Sequence, residues 1–171
     1  MGRLIVVLDW LRRRRAPAAP RDADAATRAA LLAVLDRDNE RAEELLVASV
    51  ELDSNGVEPY LALARFYRMR GDIGRAIRLH QQLLLRRDLD RAQRITCLAD
   101  LAADFKQGGF LQRAIASYEE VLERDANHVI ALRALVKLFV DARDHVRAIE
   151  MQRRLTRVSS GAHPPSSPNS G

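Results

Sequence analysis

The sequence contains a single cysteine, Cys97, among its 171 residues. One cysteine cannot form an intramolecular disulfide or a cysteine-based structural zinc site. Glycine and proline are also scarce, with 8 and 6 copies. Strand-rich folds need turn residues throughout their length, so this composition favours helices. Aromatic residues make up only 5% of the chain, which predicts a core of aliphatic and alanine contacts.

The folded body lacks an excess of charge of either sign. Residues 1–21 carry six arginines against one aspartate, whereas residues 22–155 carry 21 basic and 22 acidic side chains. A nucleic-acid interface requires a basic face on the folded body, with aromatic side chains for stacking on single strands. The basic residues of the arm have only Trp10 beside them, so nucleic acid is an unfavoured partner.

Four alanines recur at a regular spacing, which indicates an internal repeat. Ala42, Ala76, Ala114 and Ala148 are separated by 34, 38 and 34 residues. A period near 34 is that of the tetratricopeptide repeat, which places a bulky residue, Leu-small, an aromatic residue and alanine at fixed offsets. The matches are Tyr60, Leu63-Ala64, Tyr67 and Gly71, then Leu98, Leu101-Ala102, Phe105 and Gly109, then Leu132, Leu135-Val136 and Phe139.

The spacing predicts an all-α fold, a right-handed tetratricopeptide superhelix (α-solenoid) of about four helix-turn-helix repeats. The repeats occupy residues 23–158, at about 23–56, 57–91, 95–128 and 129–158, and the first is a degenerate copy. Residues 1–22 form an apolar and basic arm with a linker, and residues 159–171 form a disordered Ser/Pro-rich tail. Four extra residues between Ala76 and Ala114 are expected to lengthen a helix or the loop around Asp88–Asp90.

Two motifs are more specific than the repeat pattern. They are Phe66-x-Arg68-x-Arg70-Gly71 and Arg75-Ala76-Ile77-Arg78-x-His80-Gln81. With these motifs, about residues 40–125 resemble the lipopolysaccharide assembly protein B family of bacterial inner-membrane tetratricopeptide proteins. The resemblance implies an adaptor in envelope lipopolysaccharide assembly or its regulation, since the family helps regulate proteolysis of a lipid A biosynthetic deacetylase. Family members also have a membrane helix and a rubredoxin-like module with paired cysteines, which this chain is not expected to contain.

Residues with the spacing of a catalytic or metal site are lacking. His80, His128, His145 and His163 do not show metal-ligand spacing, and the sequence has no phosphate-binding loop or nucleophile elbow. His80 and Cys97 are expected to be packing residues inside the repeats. The sequence therefore predicts a non-enzyme without cofactor or metal.

Binding residues of such repeats project from the first helices into a concave groove. At those offsets stand Arg65, Arg68, Met69, Ala99, Ala103, Lys106, Arg133 and Lys137. They predict a basic groove, tempered by Asp100 and Asp141, that binds a protein or peptide with an acidic or amphipathic segment. The alternative is that these charges are an ordinary solvated helix surface.

The arm carries an apolar stripe, Leu4, Val7, Leu8 and Leu11, at helical spacing. It is too short to span a bilayer but suits an interface, with Trp10 near the headgroups and Arg12, Arg13, Arg14 and Arg15 over anionic lipid. This interpretation predicts a cytoplasmic protein peripheral to the inner membrane. The alternative is that the stripe packs on the first repeat as a cap. The sequence does not predict the oligomeric state.

Overall fold

The structure, a computed structural model, describes residues 20–161. These residues form eight α-helices and no strand, so the predicted all-α fold class is confirmed. The helices are α1 (Ala23–Leu35), α2 (Asn39–Leu52), α3 (Glu58–Met69), α4 (Ile73–Leu84), α5 (Arg91–Gln107), α6 (Leu111–Arg124), α7 (Val129–Asp141) and α8 (His145–Ser159). Between residues 20 and 161, no helix combines the length and the apolar character needed to cross a bilayer.

The described residues divide into two compact units, residues 20–54 and residues 55–161. In the first unit, α1 packs on α2 through fully buried alanines, among them Ala26, Ala30 and Ala42. Alanine lets two helices approach closely because it has no side chain beyond Cβ. A buried polar contact adds to this packing, since the Ser49 hydroxyl donates to the Ala23 carbonyl at 2.9 Å.

The second unit contains three helix pairs, α3–α4, α5–α6 and α7–α8, and each pair also contacts the next. Small residues again lie where helices meet, because Ala76, Ala102 and Ala114 have no exposed surface. Aromatic residues fill the space between the helices: Tyr67, Phe105, Tyr118 and Phe139. The first helix of each pair is therefore held on one side of its partner in a fixed orientation.

An aspartate caps the N-terminus of most of these helices. The side chain of each accepts a hydrogen bond from a backbone N–H of the first turn, which satisfies a group that the helix leaves free. These N-caps are Asp22, Asp38, Asp72, Asp90 and Asp144. The repeat pattern therefore sets both the packing faces and the points where the helices start.

The four extra residues between the second and third repeats are divided between a loop and a helix. Residues 85–90 connect α4 to α5, and α5 is the longest helix described, at 17 residues. The connection is anchored, because Leu89 is buried and the Arg94 guanidinium donates to the Leu84 and Arg86 carbonyls. The insertion thus leaves the contact between α4 and α5 intact.

The turn inside each helix pair passes through the left-handed region of backbone conformation. The residue five positions before the packing alanine is Gly71 (φ 80°) or Gly109 (φ 78°) in two repeats, and Arg37 (φ 59°) or Arg143 (φ 59°) in the others. Glycine adopts this conformation without the steric penalty of a Cβ atom. Arg37 and Arg143 therefore hold their turns at a conformational cost.

Replacing Arg143 by glycine is expected to stabilise the protein by about 0.5–1 kcal/mol, because it removes the Cβ atom from a left-handed position. Chemical denaturation of the wild type and Arg143→Gly measures the difference. The matched control is Gly109→Arg, which should destabilise the protein by a similar amount. A lower stability of Arg143→Gly would show that the arginine side chain contributes more than its backbone costs.

Candidate functional site

Two arginines of α3 and two aspartates of α5 form an ion-pair network. The Arg65 Nε donates to the Asp100 Oδ2 at 2.8 Å, and the two Arg68 Nη atoms reach Asp104 Oδ1 at 2.8 Å and Asp100 Oδ1 at 2.9 Å. Arg68 also donates to the Asp100 carbonyl at 3.0 Å. Each arginine thus joins two repeats, because α3 and α5 are the first helices of neighbouring pairs.

The network continues into the interior of the second unit through His80. His80 and Asp104 are both fully buried, and the His80 Nδ1 lies 2.6 Å from the Asp104 Oδ2. The other ring nitrogen, Nε2, is buried without a hydrogen-bond partner. The predicted packing role of His80 is therefore combined with a polar contact between α4 and α5.

Opposing influences act on the ionisation of Asp100. Burial alone would raise the pKa of its carboxyl group, but hydrogen bonds from Arg65 and Arg68 favour the carboxylate and the net result is a lowered pKa. Asp100 is therefore ionised at neutral pH. Its negative charge is matched by two guanidinium groups and is little available to a ligand.

Cys97 lies beside the network on α5 and is also fully buried. Its Sγ donates to the His80 carbonyl at 3.3 Å. Burial raises the pKa of the thiol to about 12, so the group stays protonated at neutral pH. A protonated, buried thiol is a poor nucleophile, and this environment suits a packing residue.

The structure separates the predicted groove residues into two groups. Arg65 and Arg68 are ion-paired, and Arg68 is largely covered, with 19% of its side chain exposed. Lys106, Arg133 and Lys137 have no ion pair with a carboxylate in the described part of the chain, and the last two are exposed. Met69, which ends α3, is 55% exposed.

Asp104 and its contact with His80 were not among the predicted site residues. The sequence did contain a signal, because Asp104 lies ten residues before its packing alanine, where the neighbouring repeats have Phe66 and Leu138. A charged residue at a buried, apolar position needs a partner. That signal points to a polar partner without saying which residue supplies it.

The near-neutral charge of the repeats conceals a difference between the two units. Residues 20–54 carry nine acidic side chains and four arginines, whereas residues 55–161 carry 19 basic and 13 acidic side chains. The second unit is therefore basic as a whole. All the predicted partner-binding residues belong to this unit. Local positive charge favours encounter with an acidic partner.

The remaining predictions concern metal sites and the arm. Between residues 20 and 161, no three His, Cys, Asp or Glu side chains gather in a way that could hold a metal ion. Trp10 and Arg12–Arg15 lie outside the described residues. Their assignment to a membrane surface or to a cap stays a prediction.

Comparison with curated sequences finds relatives that carry one name. Lipopolysaccharide assembly protein B of Escherichia coli K12 is 26% identical over 125 residues, which cover 73% of this chain and 32% of that protein. Its counterpart in Haemophilus influenzae is 28% identical over 109 residues, or 63% of this chain and 28% of that protein. The chain thus spans about a third of the length of these relatives. No protein-family model matches the chain.

Solved structures share the fold at lower sequence identity. PilF of Pseudomonas aeruginosa superposes with a TM-score of 0.71 and 16% identity, covering 81% of this chain and 62% of that one. BtubC of P. vanneervenii gives 0.72 with 21% identity, covering 83% and 64%. A MamA structure gives 0.68 with 16% identity, covering 87% and 85%.

PilF and MamA are tetratricopeptide helical-repeat proteins, so these matches show the fold. This fold, with the curated relatives, supports a protein-interaction scaffold. The chain has the tetratricopeptide helical-repeat fold, and its repeat region resembles lipopolysaccharide assembly protein B.

Proposed function

We propose that the protein is a non-enzymatic scaffold that binds an acidic, amphipathic segment of a partner protein on the exposed side of α3, α5 and α7. We call this surface the first-helix face, and its members are Arg65, Met69, Ala99, Ala103, Lys106, Arg133 and Lys137. The observation that carries the proposal is the charge balance on this face. Asp100 is already bound by Arg65 and Arg68, whereas Lys106, Arg133 and Lys137 lack a carboxylate partner among residues 20–161.

The side-chain sizes on this face leave room for a bound segment. Arg65, Ala103 and Lys137 each lie eleven residues before a packing alanine, so they occupy equivalent positions on consecutive first helices. The middle helix presents alanine, since Ala99 and Ala103 are both only partly exposed. Long basic side chains on the outer helices would flank a segment that rests on the small residues of α5.

Exposed apolar side chains on the outer helices would meet the apolar side of the partner. Met69 of α3, Ile130 of α7 and Val140 of α7 are each at least half exposed. An amphipathic helix binds such a surface by placing its apolar side against these residues and its charged side against the basic ones. Arg68 lies beneath the first-helix face as a positioning residue, because its ion pairs hold α3 beside α5.

The charge reversal Arg133→Glu with Lys137→Glu is expected to weaken binding of an acidic peptide at least tenfold, because like charges then face each other across the interface. The probe is a fluorescein-labelled amphipathic helical peptide with glutamates on one side and leucines on the other, followed by fluorescence anisotropy. A matched peptide with lysine in place of glutamate should bind poorly to the wild type.

The control variant Arg153→Glu with Arg157→Glu makes the same charge change on α8, at two exposed arginines away from the first-helix face. It should leave the affinity close to that of the wild type. Equal weakening by both double variants would indicate attraction to overall charge rather than a site. Unchanged binding after reversal of Arg133 and Lys137 would overturn the proposed surface.

The name of the relatives supports placing this scaffold in lipopolysaccharide assembly or its regulation. We also propose that it acts in the envelope, on the cytoplasmic side of the inner membrane. The chain matches about a third of the length of those relatives. The role we propose is therefore that of an adaptor. The charge reversal of Arg133 and Lys137 tests this role in the source organism. We expect it to change the normal lipopolysaccharide level, whereas the reversal of Arg153 and Arg157 should leave that level unchanged.

A further inference from the structure

Three leucines of α1 lie exposed together on the first unit. Leu31, Leu32 and Leu35 are 58%, 63% and 77% exposed. Leu35 lies three and four residues after Leu32 and Leu31, so the three side chains form a continuous apolar surface that we call the leucine face. Exposed apolar surface is unfavourable in water, which raises the question of what covers this face.

Equivalent positions in the second unit show which neighbour Leu32 lacks. Leu31 and Leu35 stand beside it where α3 has Arg65 and Met69, which are exposed. Leu32 lies ten residues before its packing alanine, and the residues at that position in α5 and α7 are Asp104 and Leu138. Both are buried, and Asp104 contacts His80 of α4, the second helix of the preceding repeat. Leu32 therefore faces the place that a preceding second helix would occupy.

The opposite end of the repeats is built differently. In α8, Gln152 and Thr156 stand where α6 has the buried residues Tyr118 and Leu122. Polar side chains at these positions suit a surface that faces water. α8 also exposes Val146 and Ile149, but Gln152 and Thr156 are polar at positions that are buried in the third repeat. Leu32 is apolar at a position that is buried in the second unit, so it is suited to an apolar neighbour.

We propose that residues 4–11 of the same chain dock on the leucine face, as a helix that takes the place of the missing preceding one. Their apolar stripe, Leu4, Val7, Leu8 and Leu11, has the spacing that such a contact requires. The connecting residues 12–22 can span roughly 36 Å when extended, whereas α1 itself is only about 20 Å long. For comparison, residues 85–90 suffice to connect α4 to α5.

Charge favours the same occupant. Residues 1–19 carry five arginines and one aspartate, whereas residues 20–54 carry nine acidic side chains against four arginines. Several of these acids, with Glu40, Glu43, Glu44 and Glu51 among them, line a groove along α2. Arg12–Arg15 directly follow the apolar stripe, so docking brings the basic part of the arm to the acidic unit.

Trp10 gives a direct test because it is the only tryptophan in the chain. In the wild type, its emission should be blue-shifted and its acrylamide quenching reduced, compared with a free peptide of residues 1–19. The variant Leu32→Arg with Leu35→Arg should shift both measurements to those of the peptide. These side chains are exposed, so the helical circular dichroism should persist. The matched control is Val146→Arg with Ile149→Arg on α8, where both side chains are also exposed.

Substitution of the arm provides an independent test that does not alter the repeats. Leu4→Arg with Leu8→Arg should release Trp10 in the same way as the α1 variant. The wild-type spectrum should also be independent of protein concentration, because docking is within one chain. Four results would each overturn the proposal. The first two are free-peptide emission of Trp10 in the wild type and an unchanged Trp10 spectrum in either the Leu32/Leu35 or the Leu4/Leu8 variant. The others are a shift that depends on protein concentration and protection of Trp10 that requires anionic vesicles of phosphatidylcholine and phosphatidylglycerol.

Discussion

Replacing Asp104 by alanine is expected to lower the free energy of unfolding by about 3–5 kcal/mol, the cost of removing one partner from a buried ion pair. The side chain has no exposed surface and is bound by both Arg68 and His80. Its loss leaves His80 buried without its carboxylate and leaves Arg68 with Asp100 alone. Urea denaturation followed by circular dichroism at neutral pH measures the change.

The control for Asp104→Ala is Glu120→Ala, which removes an exposed ion pair between Glu120 and Arg124 within α6. Exposed pairs of this kind contribute about 0–1 kcal/mol, so the control should unfold almost as the wild type does. Similar stabilities of Asp104→Ala and Glu120→Ala would show that the network does not stabilise the fold.

A double variant distinguishes the buried charge from the packing around it. His80→Phe with Asp104→Leu should be more stable than Asp104→Ala, because apolar residues of similar volume can replace a buried polar pair, whereas Asp104→Ala leaves His80 buried without its partner. Aromatic and aliphatic residues already occupy these positions in other repeats, as Tyr118 and Leu138 show. A double variant less stable than Asp104→Ala would mean that the polar contact itself is required.

The fold could be predicted from the sequence because its determinants recur within each repeat. The packing alanines have little or no exposed surface, and the helix bounds follow from local features such as the aspartate N-caps. Contacts within a helix pair depend on residues fewer than about 40 positions apart. Four copies of the same local pattern therefore indicated the architecture, although Arg37 and Arg143 replace the turn glycine in two of them.

The ion-pair network depends on information that a repeat pattern does not contain. Arg68 and Asp104 are 36 residues apart, on first helices of different repeats. Their meeting requires a particular rotation of α3 relative to α5, which is fixed by all the apolar contacts around them. The sequence therefore identified Arg65 and Arg68 as surface arginines, but it did not show that both are ion-paired with Asp100.

Replacing Phe139 by alanine is expected to cost about 3–5 kcal/mol, because the ring is almost completely buried and its removal leaves a cavity between α7 and α8. The Arg147 guanidinium carbon lies 4.4 Å from the centre of this ring, so the variant also loses a cation–π contact. Urea denaturation measures the stability, and Val140→Ala, at the half-exposed neighbouring position, should change it by less than about 0.5 kcal/mol.

The effect of Phe139→Ala should extend beyond its own repeat, because each helix pair in such a protein is stabilised mainly by its neighbours. The buried cluster that contains Phe139 includes Leu98, Phe105 and Tyr118 of α5 and α6. Hydrogen exchange should therefore become faster in α5 and α6 as well as in α7 and α8. Faster exchange confined to α7 and α8 would contradict this coupling. Since Arg133 and Lys137 lie on α7, a coupled loss of order would also weaken binding of the acidic peptide without changing a residue of the first-helix face.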